Sequence, residues 1–135
     1  MIHGSTGHEV LAAVFRYQPV CSSDTAGLSV LLWQRAHEPD AGRWSLPGGM
    51  IGPDEALDVS MRRQLAEKVD LREVAHLEQL SVFGDPGRVP GPRVIATTYL
   101  GLVPEHAEAK LPDDTAWHPV NDLPAMSFDH ATIVA

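Results

Sequence analysis

Three polar side chains in the middle of the chain have residue types and a spacing that suit phosphate or metal chemistry. Gln64, Glu67 and Lys68 occupy positions i, i+3 and i+4, which are neighbours on the surface of one helix. A glutamate carboxylate binds hard divalent cations, and a glutamine lends one neutral carbonyl oxygen. A lysine ammonium only donates hydrogen bonds, and it repels a divalent cation at close range. The cluster therefore predicts a weak metal site at Glu67, beside a cation that attracts phosphate.

A helix must bring these side chains together, and the sequence predicts one over residues 53–69. Pro53 suits a first helical position, because its fixed backbone angle matches and no amide hydrogen is missed. Asp54 and Glu55 complement the positive end of the helix dipole. Asp70 follows the predicted helix and tolerates the left-handed conformation that often ends one.

The predicted helix carries an apolar stripe at i+4 spacing, formed by Leu57, Met61 and Leu65. Polar residues on a helix most often form a solvated face. Gln64 and Lys68, however, continue the spacing of Leu57 and Met61, so they lie at the edge of the stripe. We therefore expect them to line a cleft.

The rest of the chain predicts strands and one further helix. The candidate strands are rich in β-branched and aromatic residues and cover residues 10–17, 28–35, 76–83, 93–103 and 116–120. The second of them is apolar nearly throughout, which indicates a central position. A second helix is expected to begin at Ser127. Residues 1–8 read as a flexible lead-in to one domain over residues 9–135, whose apolar end fits either a frayed terminus or a further segment beyond it.

The segment from Gly48 to Leu71, GGMIGPDEALDVSMRRQLAEKVDL, resembles the Nudix box. Gly49 is followed by five residues and Glu55, and after seven more residues comes Arg63, so the spacing is kept over 23 positions. The preceding Trp-Ser-Leu-Pro-Gly-Gly also matches the family. The resemblance implies an α/β fold, a Nudix-type α/β/α sandwich with a mixed β-sheet between the helices.

The resemblance also shows which departures matter. Family hydrolases cleave a nucleoside diphosphate linked to another group, with magnesium held by three glutamates of the box. Gln64, Glu67 and Lys68 stand at those positions, so the formal charge there changes from −3 in the family to 0. Only Glu67 remains as a metal ligand. We therefore expect a degenerate site that requires no cofactor for binding, and magnesium only if hydrolysis is retained.

Two box residues have a structural role in the family. Glu55 and Arg63 match a pair that holds the loop before the helix against it, which requires the loop to fold back over eight positions. No catalytic role is assigned to any of the five box positions, which are Glu55, Arg63, Gln64, Glu67 and Lys68. Asp70 replaces the glycine that closes the family's box.

A second signature lies outside the box. The glycine and proline loop after Phe83, the Trp117-His118-Pro119 segment and Phe128-Asp129-His130 resemble two Nudix groups: ADP-ribose pyrophosphatases and Nudix-related transcriptional regulators of NAD metabolism. In those regulators a Nudix-like domain senses ADP-ribose or a related metabolite, and a separate helix-turn-helix binds DNA. His130 is interpreted either as a ligand contact or, preferably, as a cap on local backbone.

The expected ligand-binding residues are those that can hold phosphate. Lys68 offers a point charge, and arginine offers two parallel hydrogen bonds to one phosphate group. A lone loop arginine is more often merely solvated. The candidate set is Arg35, Arg43, Gly48, Gly49, Lys68, Arg88 and Arg93.

Three functions remain open from the sequence. The first is a sensor domain that binds ADP-ribose or a similar nucleotide diphosphate, as a homodimer that contacts DNA only through a domain absent from this chain. The second is a metal-dependent nucleoside-diphosphate hydrolase of the ADP-ribose type. The third is a dimerisation scaffold that binds no nucleotide.

Composition narrows the partners and the compartment. The net charge is −8 and no run of Lys or Arg forms a basic stripe, so this domain is unsuited to gripping nucleic acid. No apolar stretch is long enough to span a membrane, and the first residues lack the features of a signal peptide. The single cysteine, Cys21, excludes an internal disulfide and has no evident base partner. We expect a cytoplasmic protein.

Overall fold

The computed structural model describes residues 6–17, 27–72, 74–104 and 110–134. The predictions for Cys21, for residues 19–26 and 105–109 of two loops, and for the lead-in before residue 6 lie outside these ranges. The described elements are seven strands and two helices: β1 Gly7–Tyr17, β2 Leu28–Gln34, β3 Trp44–Ser45, β4 Gly48–Met50, α1 Leu57–Val69, β5 His76–Phe83, β6 Val94–Val103, β7 Thr115–Pro119 and α2 His130–Val134. No helix within these ranges is long and apolar enough to cross a membrane.

The strands form one mixed sheet, as predicted. Its order is β3-β2-β1-β6-β5, with β4 paired to β1 and β7 paired to β2. The central pair, β1 with β6, is parallel from Gly7 opposite Val94 to Arg16 opposite Val103, and the other pairs are antiparallel. The apolar β2 lies inside the sheet, which confirms the position predicted from its composition.

Both faces of the sheet are covered, which confirms the sandwich. Along β1, side chains of one parity pack with Met61 and Leu65 of α1, and those of the other parity pack with Met126 and Ile133 near and in α2. Each residue from position 10 to 14 is therefore at most 3% exposed. A strand buried on both faces reads as a continuous apolar run, because neither set of alternate side chains meets water.

The start of α1 differs from the prediction, while its end agrees. The helix begins at Leu57 and not at Pro53, and Ala56 before it is extended with φ −67° and ψ 155°. The carboxylate of Glu55 accepts a hydrogen bond from the Gly52 amide at 3.1 Å, so the acidic residues belong to a turn and not to the first helical turn. At the other end Asp70 is left-handed, with φ 54°, as expected.

Other boundaries moved by a few residues. β1 begins at Gly7, so the last two residues of the predicted lead-in belong to the sheet. α2 starts at His130 and not at Ser127, whose hydroxyl instead bonds that of Ser45 at 2.6 Å. β3 and β4 were not predicted as strands. They have two and three residues, and pairing with β2 and β1, not local composition, makes them extended.

Gly48 allows β4 to lie directly against β1. A Cβ atom at this position would come within 1.9 Å of the Val10 carbonyl oxygen and 2.9 Å of its carbon. Both atoms belong to the backbone of a buried strand and cannot move aside. The glycine is therefore required by the close approach of two strands.

We predict that Gly48→Ala destabilises the protein by about 2 kcal/mol or more, because overpacking against fixed backbone is costly. Urea unfolding followed by circular dichroism measures this. Gly87→Ala is the matched control, since nothing lies within 4 Å of a Cβ there, and it should change stability by less than about 0.5 kcal/mol. Equal stability of the two variants would contradict the close-approach argument.

Candidate ligand-binding site

A cavity of about 290 Å³ brings four of the seven predicted ligand-binding residues together: Arg35, Gly48, Gly49 and Lys68. It is bounded by β1, by the end of β2, by the β3–β4 segment, by the last turn of α1 and by the loop before α2. Glu9 and Trp33, which the sequence did not single out, also line it, as does Phe128 of the second signature. Arg43, Arg88 and Arg93 are not part of this lining.

Lys68 and Gln64 meet at the glycines of β4. The Lys68 ammonium donates a hydrogen bond to the Gly48 carbonyl oxygen at 2.9 Å. The buried amide of Gln64 donates to the Met50 carbonyl at 2.9 Å, which turns its Oε1 toward Gly49. A Cβ on Gly49 would lie 2.5 Å from both Gln64 Oε1 and Lys68 Nζ, so these atoms are no more than about 5 Å apart. Both side chains can approach only because residue 49 is glycine.

The Gln64 carbonyl oxygen is an unused acceptor. It is buried, and no described residue donates a hydrogen bond to it. A buried polar atom without a partner is uncommon in native structures. The last turn of α1 therefore presents an acceptor from Gln64 and a donor from Lys68 to the same side of the β4 glycines.

The contact predicted between Glu55 and Arg63 is present. Arg63 Nε and Nη2 donate to the two carboxylate oxygens at 2.5 and 2.9 Å, so the loop does fold back onto α1. The pKa of Glu55 lies below its ordinary value because of the Arg63 hydrogen bonds, and the pKa of Arg63 is raised by the same contact. Arg63 also donates to Glu67 at 3.1 Å.

The side chains at the three box positions do not fit a magnesium site. The one carboxylate at the three box positions, Glu67, is 60% exposed and engaged with Arg63. Lys68 already occupies the Gly48 carbonyl. Burial and the nearby Arg63 lower the pKa of Lys68, since both disfavour its charged form. Among the described residues no group of three or more His, Cys, Asp or Glu side chains could hold a metal ion.

Arg88 lies in a buried ion-pair network, which does not support its predicted phosphate-clamp role. Its side chain is 1% exposed. It donates twice to Asp129 at 2.8 Å, once to Glu9 at 2.8 Å and once to the Val94 carbonyl at 3.2 Å. Four of its five N–H donors are thus used within the protein. Arg88 fastens the glycine and proline loop to β1 and to the segment before α2.

The other three arginines differ in their access to the cavity. Arg35 lines it, with its guanidinium 5.0 Å from the centre of the Phe128 ring and its Nε bonded to the Pro39 carbonyl at 2.8 Å. Arg93 borders a different, open depression and donates to the Gly84 carbonyl at 2.7 Å. Arg43 reaches the Met126 carbonyl at 3.4 Å. Only Arg35 is placed to contact a ligand beside Lys68.

His130 forms a buried part of the cavity wall. The favoured prediction, a cap on local backbone, is wrong, because its ring bonds the backbone of Leu46, which is 84 positions away. Its Nδ1 accepts a hydrogen bond from the Leu46 amide at 3.0 Å. Its Nε2 is buried and has no hydrogen-bond partner among the residues described. Burial lowers the pKa of His130 to about 4, so the ring is neutral at physiological pH.

Comparison with known proteins settles the family. The model of the NUDIX domain family matches residues 17–135. The chain belongs to the Nudix family. The loop, helix and glycine strand described above are therefore the Nudix box in three dimensions.

Curated relatives of this Nudix chain include enzymes and a regulator. It is 31% identical over 109 residues to the ADP-ribose pyrophosphatase of Methanocaldococcus jannaschii, covering 78% of this chain and 63% of that protein. It is 31% identical over 86 residues to the ADPR responsive transcriptional repressor NtrR of Acinetobacter baylyi, covering 62% and 34% respectively. The chain thus spans less than two thirds of the length of either relative.

Solved structures agree with the regulator resemblance. The NUDIX domain of Shewanella oneidensis NrtR complexed with ADP ribose superposes with a TM-score of 0.81 at 29% identity, covering 98% of this chain and 86% of that one. NrtR from the same organism complexed with a 27mer DNA superposes with a TM-score of 0.78 at 30% identity, covering 93% and 57%.

Some residues of the Nudix site carried no usable signal in the sequence. Glu9 and Trp33 stand in strands that predict only packing, and their approach to Lys68 depends on the sheet. Phe128 and His130 belonged to the quoted signature, but only the fold brings them to the cavity.

We predict that His130 makes stability depend on pH between about 4 and 6.5. Its folded pKa of about 4 lies below the ordinary 6.5, so the unfolded chain binds more protons there and stability falls as pH falls. The loss approaches about 3 kcal/mol at the acid end. Asp129 and Asp40 oppose the shift, and Arg88 and Arg35 add to it.

Urea unfolding at pH 7 and pH 5 measures this dependence. His130→Asn keeps an acceptor for Leu46 but cannot titrate, so its stability should fall less between the two pH values than that of the parent. The carboxylates are common to both proteins and cancel in the comparison. Equal losses would show that His130 does not cause the dependence.

Proposed function

We propose that this Nudix domain binds ADP-ribose or a related nucleotide diphosphate without a divalent metal, as the sensor of a regulator of NAD metabolism. The observation that carries the proposal is the ammonium of Lys68 at the Gly48 carbonyl, in the wall of the cavity. An ammonium has three donors and one is used there. No residue in the described part of the chain accepts from the other two, which in this proposal bind phosphate oxygens.

The local charge supports an anionic ligand. The charged residues in the described lining are Arg35, Lys68 and Glu9, which leaves one net positive charge in a chain of net charge −8. Arg88 bonds to Glu9 at 2.8 Å and offsets its carboxylate. The local charge therefore attracts a diphosphate. A metal is not needed to screen it from the three box carboxylates of the family, because two of them are replaced here.

The relatives support the choice of ligand. A related repressor is named as responsive to ADPR, and a related NUDIX domain has been solved with ADP ribose. In the proposal, DNA is contacted through a separate domain and not by this Nudix domain. We also propose a cytoplasmic location.

A homodimer belongs to the same proposal. β5 forms one edge of the described sheet, and its Leu80 and Val82 side chains are 48% and 54% exposed. Exposed apolar residues on an edge strand favour association. Light scattering on the purified protein would give twice the monomer mass of 14.6 kDa.

The alternative function is a nucleoside-diphosphate hydrolase. The intact box spacing and the similarity to an ADP-ribose pyrophosphatase favour it. The loss of two carboxylates at the box weighs against it, because the remaining Glu67 gives a divalent ion only one charged ligand. A scaffold that binds no nucleotide is the third possibility, and calorimetry separates it from the other two.

We predict that ADP-ribose binds in the presence of excess chelator and that Lys68→Ala weakens binding about ten-fold or more. A hydrogen bond to a charged group contributes about 1.5–3 kcal/mol. Titration calorimetry measures both, and added salt should weaken binding further.

Arg62→Ala is the matched control for Lys68→Ala. It removes one positive charge from the same helix at an exposed position outside the cavity lining. It should leave affinity within about two-fold of the parent. Binding that appears only with magnesium, or equal affinity of parent and Lys68→Ala, would refute the built-in cation.

We predict turnover of ADP-ribose with magnesium well below about 1 s⁻¹, the lower end of usual enzyme rates. The double variant Gln64→Glu with Lys68→Glu should gain magnesium affinity, since it restores the three carboxylates. Phosphate-release assays and calorimetry with magnesium measure the two effects. Rapid turnover by the parent would favour the hydrolase, and no gain in metal affinity would contradict our account of the box.

A further inference from the structure

A second polar side chain besides Lys68 lies at the cavity. His130 is 3% exposed and lines the cavity. Its Nδ1 is occupied by the Leu46 amide at 3.0 Å, which can only donate. Nδ1 must therefore be the unprotonated nitrogen, and in a neutral imidazole the proton then resides on Nε2. The backbone of Leu46 thus selects the tautomer.

The selected Nε2–H is an unused donor. It is buried, and no residue in the described part of the chain accepts a hydrogen bond from it. Neighbouring rings limit its movement, since Phe128 packs edge-on against His130 with ring centres 5.7 Å apart. Buried donors are nearly always paired. An acceptor supplied from the cavity would complete this one.

His130 and Lys68 are fixed on the same short segment. His130 accepts from the amide of Leu46, and Lys68 donates to the carbonyl of Gly48. The Leu46 amide and the Gly48 carbonyl enclose three residues, which span at most about 11 Å when extended. Two donors, one neutral and one cationic, are thus attached to one stretch of backbone in the wall of one cavity.

We infer that His130 is a ligand-binding residue whose Nε2–H donates to a neutral oxygen of the bound nucleotide, such as a ribose hydroxyl. The inference rests on the proposed function and adds a second contact to that site. Leu46 and Phe128, which contact His130, and Leu11 and Trp33 contribute apolar side chains to the lining. A neutral donor in such surroundings pairs with a neutral acceptor without stripping water from a charge. The phosphate oxygens bind Lys68 instead.

Two substitutions separate the two ring nitrogens. His130→Asn places an acceptor near the position of Nδ1 and deletes the Nε2 donor. His130→Gln places an amide N–H near Nε2 and gives up the acceptor for Leu46. We expect His130→Asn to weaken ADP-ribose binding about ten-fold with the smaller loss of stability. His130→Gln should bind more tightly than His130→Asn although it unfolds more easily.

Calorimetry with ADP-ribose and urea unfolding give the two rank orders. A merely structural histidine would give one order for both, because affinity would fall with stability. That result, or parent affinity in His130→Asn, would overturn the inference. Failure of the parent itself to bind ADP-ribose would instead remove the proposed function, and this inference with it.

Nitrogen-15 NMR of the parent gives a second measurement that needs no stable variant. The Nε2–H resonance of His130, assigned by its absence from His130→Asn or by its contact with Phe128, should shift downfield on saturation with ADP-ribose. The Nδ1 signal should keep the position of an unprotonated nitrogen. An unchanged Nε2–H signal at saturation would overturn the inference.

Discussion

The close contact of β4 with β1 is the constraint on which the site depends. Gly48 lies so near the Val10 carbonyl that no side chain fits there. On its other side β4 receives Gln64 and Lys68 from α1, again because Gly49 has no side chain. Two adjacent glycines thus let a strand, a short strand and a helix meet within a few ångströms. The cavity is the space left beside that meeting point.

The electrostatics of the box follow from this geometry. Glu55 and Glu67 are both drawn to Arg63, on the side of α1 that faces the preceding loop. Lys68 turns to the Gly48 carbonyl, where its ammonium loses part of its hydration. The helix therefore separates its charges, with carboxylates held by an arginine and a cation left at the cavity. A hydrolase that binds magnesium would need a negative charge at the position of Lys68.

Burial gives Arg88 a different role from the one that the sequence suggested. As a loop arginine it suggested a phosphate clamp, but it fills the contact between Glu9 and Asp129. Burial alone lowers the pKa of Arg88, but the hydrogen bonds that Arg88 donates to Asp129 and Glu9 outweigh burial and raise it. Removing such a partner leaves buried charges uncompensated. The network holds Asp129 in place, and His130 next to it is thereby kept in the wall of the cavity.

The sequence by itself determined the family resemblance, which implied the mixed sheet, as well as the extent of most strands and the departure of the box from three carboxylates. These depend on residue type and on local spacing, which a sequence displays directly. Tertiary structure decided the start of α1, the strands β3 and β4, and the different roles of Arg35, Arg88 and Arg93. Each of these depends on partners outside the local pattern, from Arg63 eight positions after Glu55 to Glu9 and Asp129, which are 79 and 41 positions from Arg88. The hydrogen-bond partners of an arginine side chain depend on the complete fold. The local sequence pattern therefore identified the candidate arginines but not the role of each.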